Sequence, residues 1–141
     1  MTDKFEQISI KPGYMKHNGG ILFRKISDTE FEFKTTIDKN KLNSAGITHG
    51  GYICSIIDAG SGTSAHRASN NTPCVTVSLD VKFIGATRTG DEIKGFTKIQ
   101  KITKSMVFLI CYLESNSRLI ASASGVWKKL NKNISSFGPG G

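Results

Sequence analysis

The chain has 141 residues, 38% hydrophobic and 21% charged, which describes a globular protein with one substantial core and too little length for two. No run of some eighteen apolar residues occurs, and the start "MTDKFEQISI" has no basic segment leading into an apolar one; a membrane-spanning helix and a secretory leader are not expected, and the cytoplasm is the expected location. The net charge of +8 is uneven, with nine Lys and Arg against seven Asp and Glu in residues 1–70 and ten against four in residues 71–141.

That basic second half suits either solvated strand faces or an anionic small ligand such as a phosphorylated cofactor. Nucleic acid is not expected, because the basic residues are scattered and no aromatic-plus-basic motif accompanies them. Cys54, Cys74 and Cys111 are odd in number, widely spaced and set in apolar stretches. They read as buried thiols, neither a disulfide framework nor a metal site.

In chain order, "FEQISI" suggests a short helix or turn, and Pro12-Gly13 and Gly19-Gly20 mark breaks. "GILFRKISDTEFEFKTTI" then predicts a hairpin turning at Ser27-Asp28-Thr29, with Phe31, Phe33 and Thr35 alternating against Glu30, Glu32 and Lys34. After the polar "DKNKLNSAG", the stretch from Gly50 to about Arg67 places Ile53, Ile56, Ile57 and Gly60 on one helical face. "CVTVSLDVKF" alternates without a slip, Val75, Val77, Leu79, Val81 and Phe83 on one side, Thr76, Ser78, Asp80 and Lys82 on the other. "IKGFTKIQKI", "SMVFLICYLE" and "LIASASGVWKKL" predict three more strands, the middle one apolar enough to lie centrally or be covered on both faces. A hairpin, one long helix and four consecutive strands make an α+β fold, an antiparallel sheet packed on one central helix. The whole of 1–141 reads as one domain, with about 1–14 and 131–141 peripheral or frayed.

"GSGTSA" (60–65) matches the G-x-G-x-x-G/A dinucleotide fingerprint, with Asp80 twenty residues after Gly60. The match is set aside because only two or three helical turns fit before "NNTP", and hairpin-linked strands follow where crossovers are required. Gly60 and Gly62 read instead as thin spots where a neighbour packs close.

Two features carry chemistry. A helix beginning near Gly50, capped by Thr48 or His49, leaves the Gly50 and Gly51 amides without intrahelical partners, so "HGG" is either a tight loop-to-helix entry or a site for an oxyanion or carbonyl. Asp58 lies in a run otherwise made of Ile, Cys, Ala and Gly, where its carboxylate is expected to be desolvated, as hydrogen-bonded structure or as chemistry. Gly50 and Asp58 are eight residues apart, about 12 Å at ~1.5 Å per residue. Contacts of about 3 Å are needed at a reacting carbonyl, so a site using both must be shared between two chains.

The motif "N-x-x-G-x-x-H-G-G" at Asn43–Gly51, Asp58 in the following helix, "VSLDVKFIGATRTGDEI" at 77–93 and the element order resemble the hotdog-fold acyl-CoA thioesterases of the phenylacetate-pathway type, within the 4-hydroxybenzoyl-CoA thioesterase superfamily, over about residues 15–130. The resemblance implies a hotdog fold, with Asp58 as nucleophile or general base and the Gly50 amide as oxyanion donor. It implies Asn43 and His49 as supports for the thioester and its loop, and Ser78 as a hydroxyl that positions water or the acid. It implies a homodimer with sites shared across the interface, open to further pairing into a tetramer. The expected reaction is hydrolysis of an acyl-CoA thioester, with no metal and no cofactor beyond the coenzyme A of the substrate. Candidates for contact with that coenzyme A are Gly51, Arg88, Lys104, Ser105, Arg118, Lys128 and Lys129. A hotdog hydratase or dehydratase, or an acyl-CoA-binding module without turnover, are the alternatives.

Overall fold

The computed structural model describes residues 3–130. Its elements are β1 (Glu6–Gln7), α1 (Tyr14–His17), β2 (Leu22–Lys25), β3 (Glu30–Thr36), a 3-10 turn (Lys39–Lys41), α2 (Gly50–Ala68), β4 (Cys74–Phe83), β5 (Glu92–Ile102), β6 (Met106–Ser115) and β7 (Arg118–Lys129). The seven strands form one sheet in the order β1-β2-β3-β5-β6-β7-β4, every pairing antiparallel. The sheet and the single long helix α2 are the α+β arrangement the sequence predicts.

The segment before residue 14 is more than periphery. Glu6 and Gln7 extend the sheet beside β2 where a helix or turn was expected, and Ile8 is buried in the core. Residues 131–141, expected to fray, lie outside the described residues.

The core sits between α2 and the inner face of the sheet, where Phe33, Ile56, Ile57, Val107, Leu113 and Trp127 are essentially inaccessible. Gly60 and Gly95 face each other across the ring of Phe33: a Cβ on Gly60 would stand 2.3 Å from that ring, and one on Gly95 would stand 2.1 Å from it. The "GSGTSA" glycines therefore thin the helix so that it can settle onto the sheet. Burying a ring such as Phe33 contributes about 1.5–3 kcal/mol.

β4 alternates less simply than its sequence. Thr76 pairs with Trp127 but Ser78 pairs with Val126, so Val77 is an extra residue in a bulge. Opposed residues of an antiparallel pair share a face, and the bulge switches which residues point to the helix. Thr76, opposite buried Trp127, and Leu79 and Val81, opposite Gly125 and Ala123, face inward, whereas Ser78, Asp80 and Lys82 face outward with Val126, Ser124 and Ser122. Among the described residues β4 pairs only with β7, and it ends the sheet with its other edge unpaired.

Candidate active site

α2 begins at a loop that its own side chains organise. Asn43 Oδ1 accepts from the Ala45 and Ile47 amides at 2.9 and 3.3 Å, and Gly46 takes a φ of +81° in the turn between them. This fixes the Asn43 oxygen toward its own loop and leaves the amide NH2 without an acceptor among the described residues. Beneath the loop, Thr48 Oγ1 and Thr87 Oγ1 share a buried hydrogen bond of 2.6 Å. His49 is the N-cap, and its Nδ1 accepts from the Gly51 amide at 2.8 Å. An accepting Nδ1 carries no proton, so the imidazole is the Nε2–H tautomer.

The two amides of "HGG" are therefore not equivalent. That of Gly51, a candidate for coenzyme A contact, is taken by the cap. Tyr52 and Ile53 donate to His49 O at 3.0 and 3.1 Å. Gly50 N–H has no acceptor among the described residues and remains available at the positive end of the helix.

Gly50 opens onto a cleft of about 330 Å³ lined by Asn43, Ile47, Ile53, Phe83, Ile84 and Ile120 among others. A Cβ on Gly50 would meet the Phe83 ring at 3.4 Å, so the absence of a side chain keeps the passage between helix and strand open. Among the described residues no charged side chain lines this cleft.

Asp58 stands two turns further along α2, and in the single chain it is exposed, contrary to its apolar sequence context. The reason is architectural: Ile53, Ile56, Ile57 and Gly60 face the sheet, while Gly51 and Asp58 lie on the opposite, uncovered side. Thr76 Oγ1 donates to Asp58 Oδ1 at 2.6 Å, and Oδ2 has no partner among the described residues. Ser78, the hydroxyl expected beside the acid, faces the other side of the sheet because of the bulge, and Thr76 occupies the place assigned to it. Cys54, one turn before Asp58, has its thiol pushed up by burial and then by the Asp58 charge.

The other candidates fall into two groups at opposite ends of the sheet. Arg88 follows Thr87 of the cleft, and Arg118 Nη2 donates to Ala86 O at 3.3 Å beside it. Lys104 and Ser105 lie in the β5–β6 turn, where Lys129 N donates to Ser105 O at 2.7 Å. Lys128 and Lys129 pair with Val75 and Cys74, next to Thr76. Arg88 and Arg118 thus belong to the Gly50 end and the other four to the Asp58 end. Among the described residues no three His, Cys, Asp or Glu side chains gather as a metal set, and no helix is long and apolar enough to cross a membrane.

The family profile of the thioesterase superfamily matches residues 45–117, from the Asn43 loop through α2 to the β6–β7 turn. A Pseudomonas aeruginosa protein provisionally named an esterase is 34% identical over 110 residues, covering 77% of this chain and 82% of its own. This chain belongs to the thioesterase superfamily. Among solved structures, zebrafish thioesterase superfamily member 2 superposes with a TM-score of 0.79 at 18% identity, covering 86% of this chain and 90% of that one. A "hypothetical thioesterase protein" from Streptococcus pneumoniae, crystallised with coenzyme A, gives 0.75 at 16% identity, covering 94% and 100%. The Escherichia coli PaaI protein of the phenylacetic acid degradation operon gives 0.67 at 17% identity, covering 74% and 75%. The fold is the hotdog fold of these thioesterases, and thioester hydrolysis is the chemistry for which the superfamily is named.

Proposed function

We propose that the chain hydrolyses acyl-CoA thioesters to the free acid and coenzyme A, in sites completed by a second copy of itself. The observation that carries this reading is the pairing of two unspent groups, the Gly50 amide and Asp58 Oδ2, about 12 Å apart on one helix. Neither can meet the other at one carbonyl within a chain.

The unpaired edge of β4 supports the same reading. It carries exposed Val75, Val77 and Phe83, and an apolar open edge is a template for another strand. Antiparallel pairing of two β4 strands about a two-fold axis lays the α2 helices side by side in opposite directions. With the axis at the level of Cys54, Gly50 of one copy lies level with Asp58 of the partner subunit, twice. It also brings Arg88 and Arg118 of one copy toward the end that carries Lys104, Ser105, Lys128 and Lys129 of the other, giving the phosphates of coenzyme A cations from both chains.

In that site Thr76 holds Oδ1 of Asp58 and leaves Oδ2 to act. Either Oδ2 attacks the thioester carbonyl, expelling the CoA thiolate to form a mixed anhydride that water then cleaves, or it takes a proton from a water that attacks directly. The Gly50 amide donates to the carbonyl oxygen as negative charge develops on it. Both routes consume one water and yield the acid and coenzyme A.

A thiol-release assay over a panel of acyl-CoAs tests the reading. Release of coenzyme A that disappears in Asp58→Asn supports it. Interconversion of enoyl and hydroxyacyl thioesters without thiol release would make the protein a hydratase, and tight binding without either would make it a carrier.

A further inference from the structure

The uncovered side of α2 receives one side chain from outside the catalytic set. Ser55 Oγ donates to Gly51 O at 2.7 Å and shares a hydrogen bond of 3.1 Å with the phenol oxygen of Tyr14. Tyr14 opens α1, which is held in place by buried Met15 and by Asn18 Nδ2 donating to Tyr14 O at 2.8 Å. Tyr14 is nevertheless 59% exposed, because it stands over the helix face that none of the other described residues covers. Ser55 is three residues before Asp58, about 4.5 Å along the axis.

We propose that Tyr14 is the residue that sets the length of the acyl group, closing the inner end of the acyl-binding space. This rests on the shared-site reading. If Gly50 of one helix lies level with Asp58 of its antiparallel partner, the residue midway between them, Cys54, lies at the two-fold axis. Ser55 and the phenol over it are next to that axis, between the two sites of the dimer.

A thioester bound with its carbonyl between Gly50 and the partner's Asp58 has two directions to take. Toward the axis there is about 6 Å before the second site's half begins. The nucleotide of coenzyme A, large and carrying several negative charges, does not fit there twice over. It leaves outward, past Ala86 and Thr87 toward Arg88 and Arg118, and the acyl group points inward to Cys54, Ser55 and Tyr14. About 6 Å is the extended length of some four or five carbons at bonds near 1.5 Å. The substrate class is therefore short acyl groups, and a longer chain collides with the phenol ring.

The test measures kcat/KM along a series of straight-chain acyl-CoAs from acetyl to dodecanoyl, for wild type, Tyr14→Ala, Tyr14→Trp and Asp58→Asn. Wild type peaks at roughly four to six carbons. Tyr14→Ala moves the peak to longer chains and raises the dodecanoyl-to-butanoyl ratio at least tenfold; Tyr14→Trp, which adds bulk, moves it to shorter ones. Melting curves confirm that each variant folds, and a shift in either variant in its own direction suffices if the other does not fold. Profiles that superpose on wild type, with wild type active and Asp58→Asn inactive, overturn the role of Tyr14 and leave the proposed hydrolysis standing. A wild type that releases no coenzyme A, or an Asp58→Asn variant that still does, overturns the hydrolytic reading and this inference with it.

Discussion

Thr76 on β4 donates a 2.6 Å hydrogen bond to Asp58 on α2, joining the strand that ends the sheet to the acid on the uncovered face of the helix. The bond fixes one carboxylate oxygen and leaves the other free. Thr76→Val keeps the shape, removes the donor and lets the carboxylate rotate. We expect kcat to fall about tenfold or more, the order of a lost hydrogen bond to a charged group, with a smaller change in KM. Ser78→Ala, on the outer face, should leave both near wild type. Steady-state kinetics on one acyl-CoA decide it: a larger loss in Ser78→Ala than in Thr76→Val would mean that the bulge does not place these residues as described.

The bulge also shows where sequence reading stops. Long periodic segments were legible: the hairpin, α2 and the four later strands lie where their patterns put them, because periods of two and 3.6 follow from backbone geometry. The extra residue at Val77 was not legible, since Val75, Val77, Leu79, Val81 and Phe83 are all apolar and the pattern carries no mark of the switch. Glu6 and Gln7 were missed because two residues have no period. Asp58 was expected to be buried because its neighbours in sequence are apolar. Those neighbours turn to the sheet, and composition cannot say which face of the helix the sheet leaves uncovered. The cap was half legible: "HGG" marked a helix start with free amides, but only the His49 Nδ1 contact tells the Gly50 amide from that of Gly51.

The antiparallel helix arrangement makes a separate prediction about Cys54. In the proposed dimer Cys54, midway between Gly50 and Asp58, faces its own copy across the axis, with helix axes about 8–10 Å apart. A bis-maleimide spanning that gap should yield a covalent dimer from wild type and from a Cys74→Ser, Cys111→Ser double variant, but not from Cys54→Ser. Cys74 and Cys111 are buried and the Cys111 thiol is pushed up to about 12 by burial, so neither competes. Because the Cys54 thiol is itself raised, the reaction should quicken as pH rises through the alkaline range. A native dimer that gives no such product would place the two α2 helices in some other register.

His66 predicts how stability depends on pH. Its imidazole is half-buried and is held below the ordinary value of 6.5 first by that burial and then by the Arg67 charge. Below about pH 6.5 the unfolded chain binds a proton that the folded chain refuses. Unfolding then takes up a proton and stability falls as pH drops, until the folded imidazole also protonates. Urea midpoints measured between about pH 7.5 and 5.5 should fall for wild type and fall less for His66→Gln. Equal slopes for the two would remove His66 as a source of the acid sensitivity.

The last prediction tests whether each site draws on two chains. Asp58→Asn removes the acid. Gly50→Val places side-chain atoms where even a Cβ already meets Phe83 at 3.4 Å, closing the passage beside the free amide. Each variant alone should be inactive, since every site in either homodimer carries its lesion. A mixed dimer is different: one of its two sites receives both lesions and the other receives neither. Random exchange between equal amounts makes half the dimers mixed, each with one intact site, so about a quarter of wild-type activity should return. Native mass spectrometry must show that the subunits have exchanged, and melting curves that both variants fold. With exchange established, activity no greater than the sum of the two parents would sink the shared site. The oxyanion donor for Asp58 would then have to come from its own chain, and the free amide of Gly50, about 12 Å away on the same helix, could not be it.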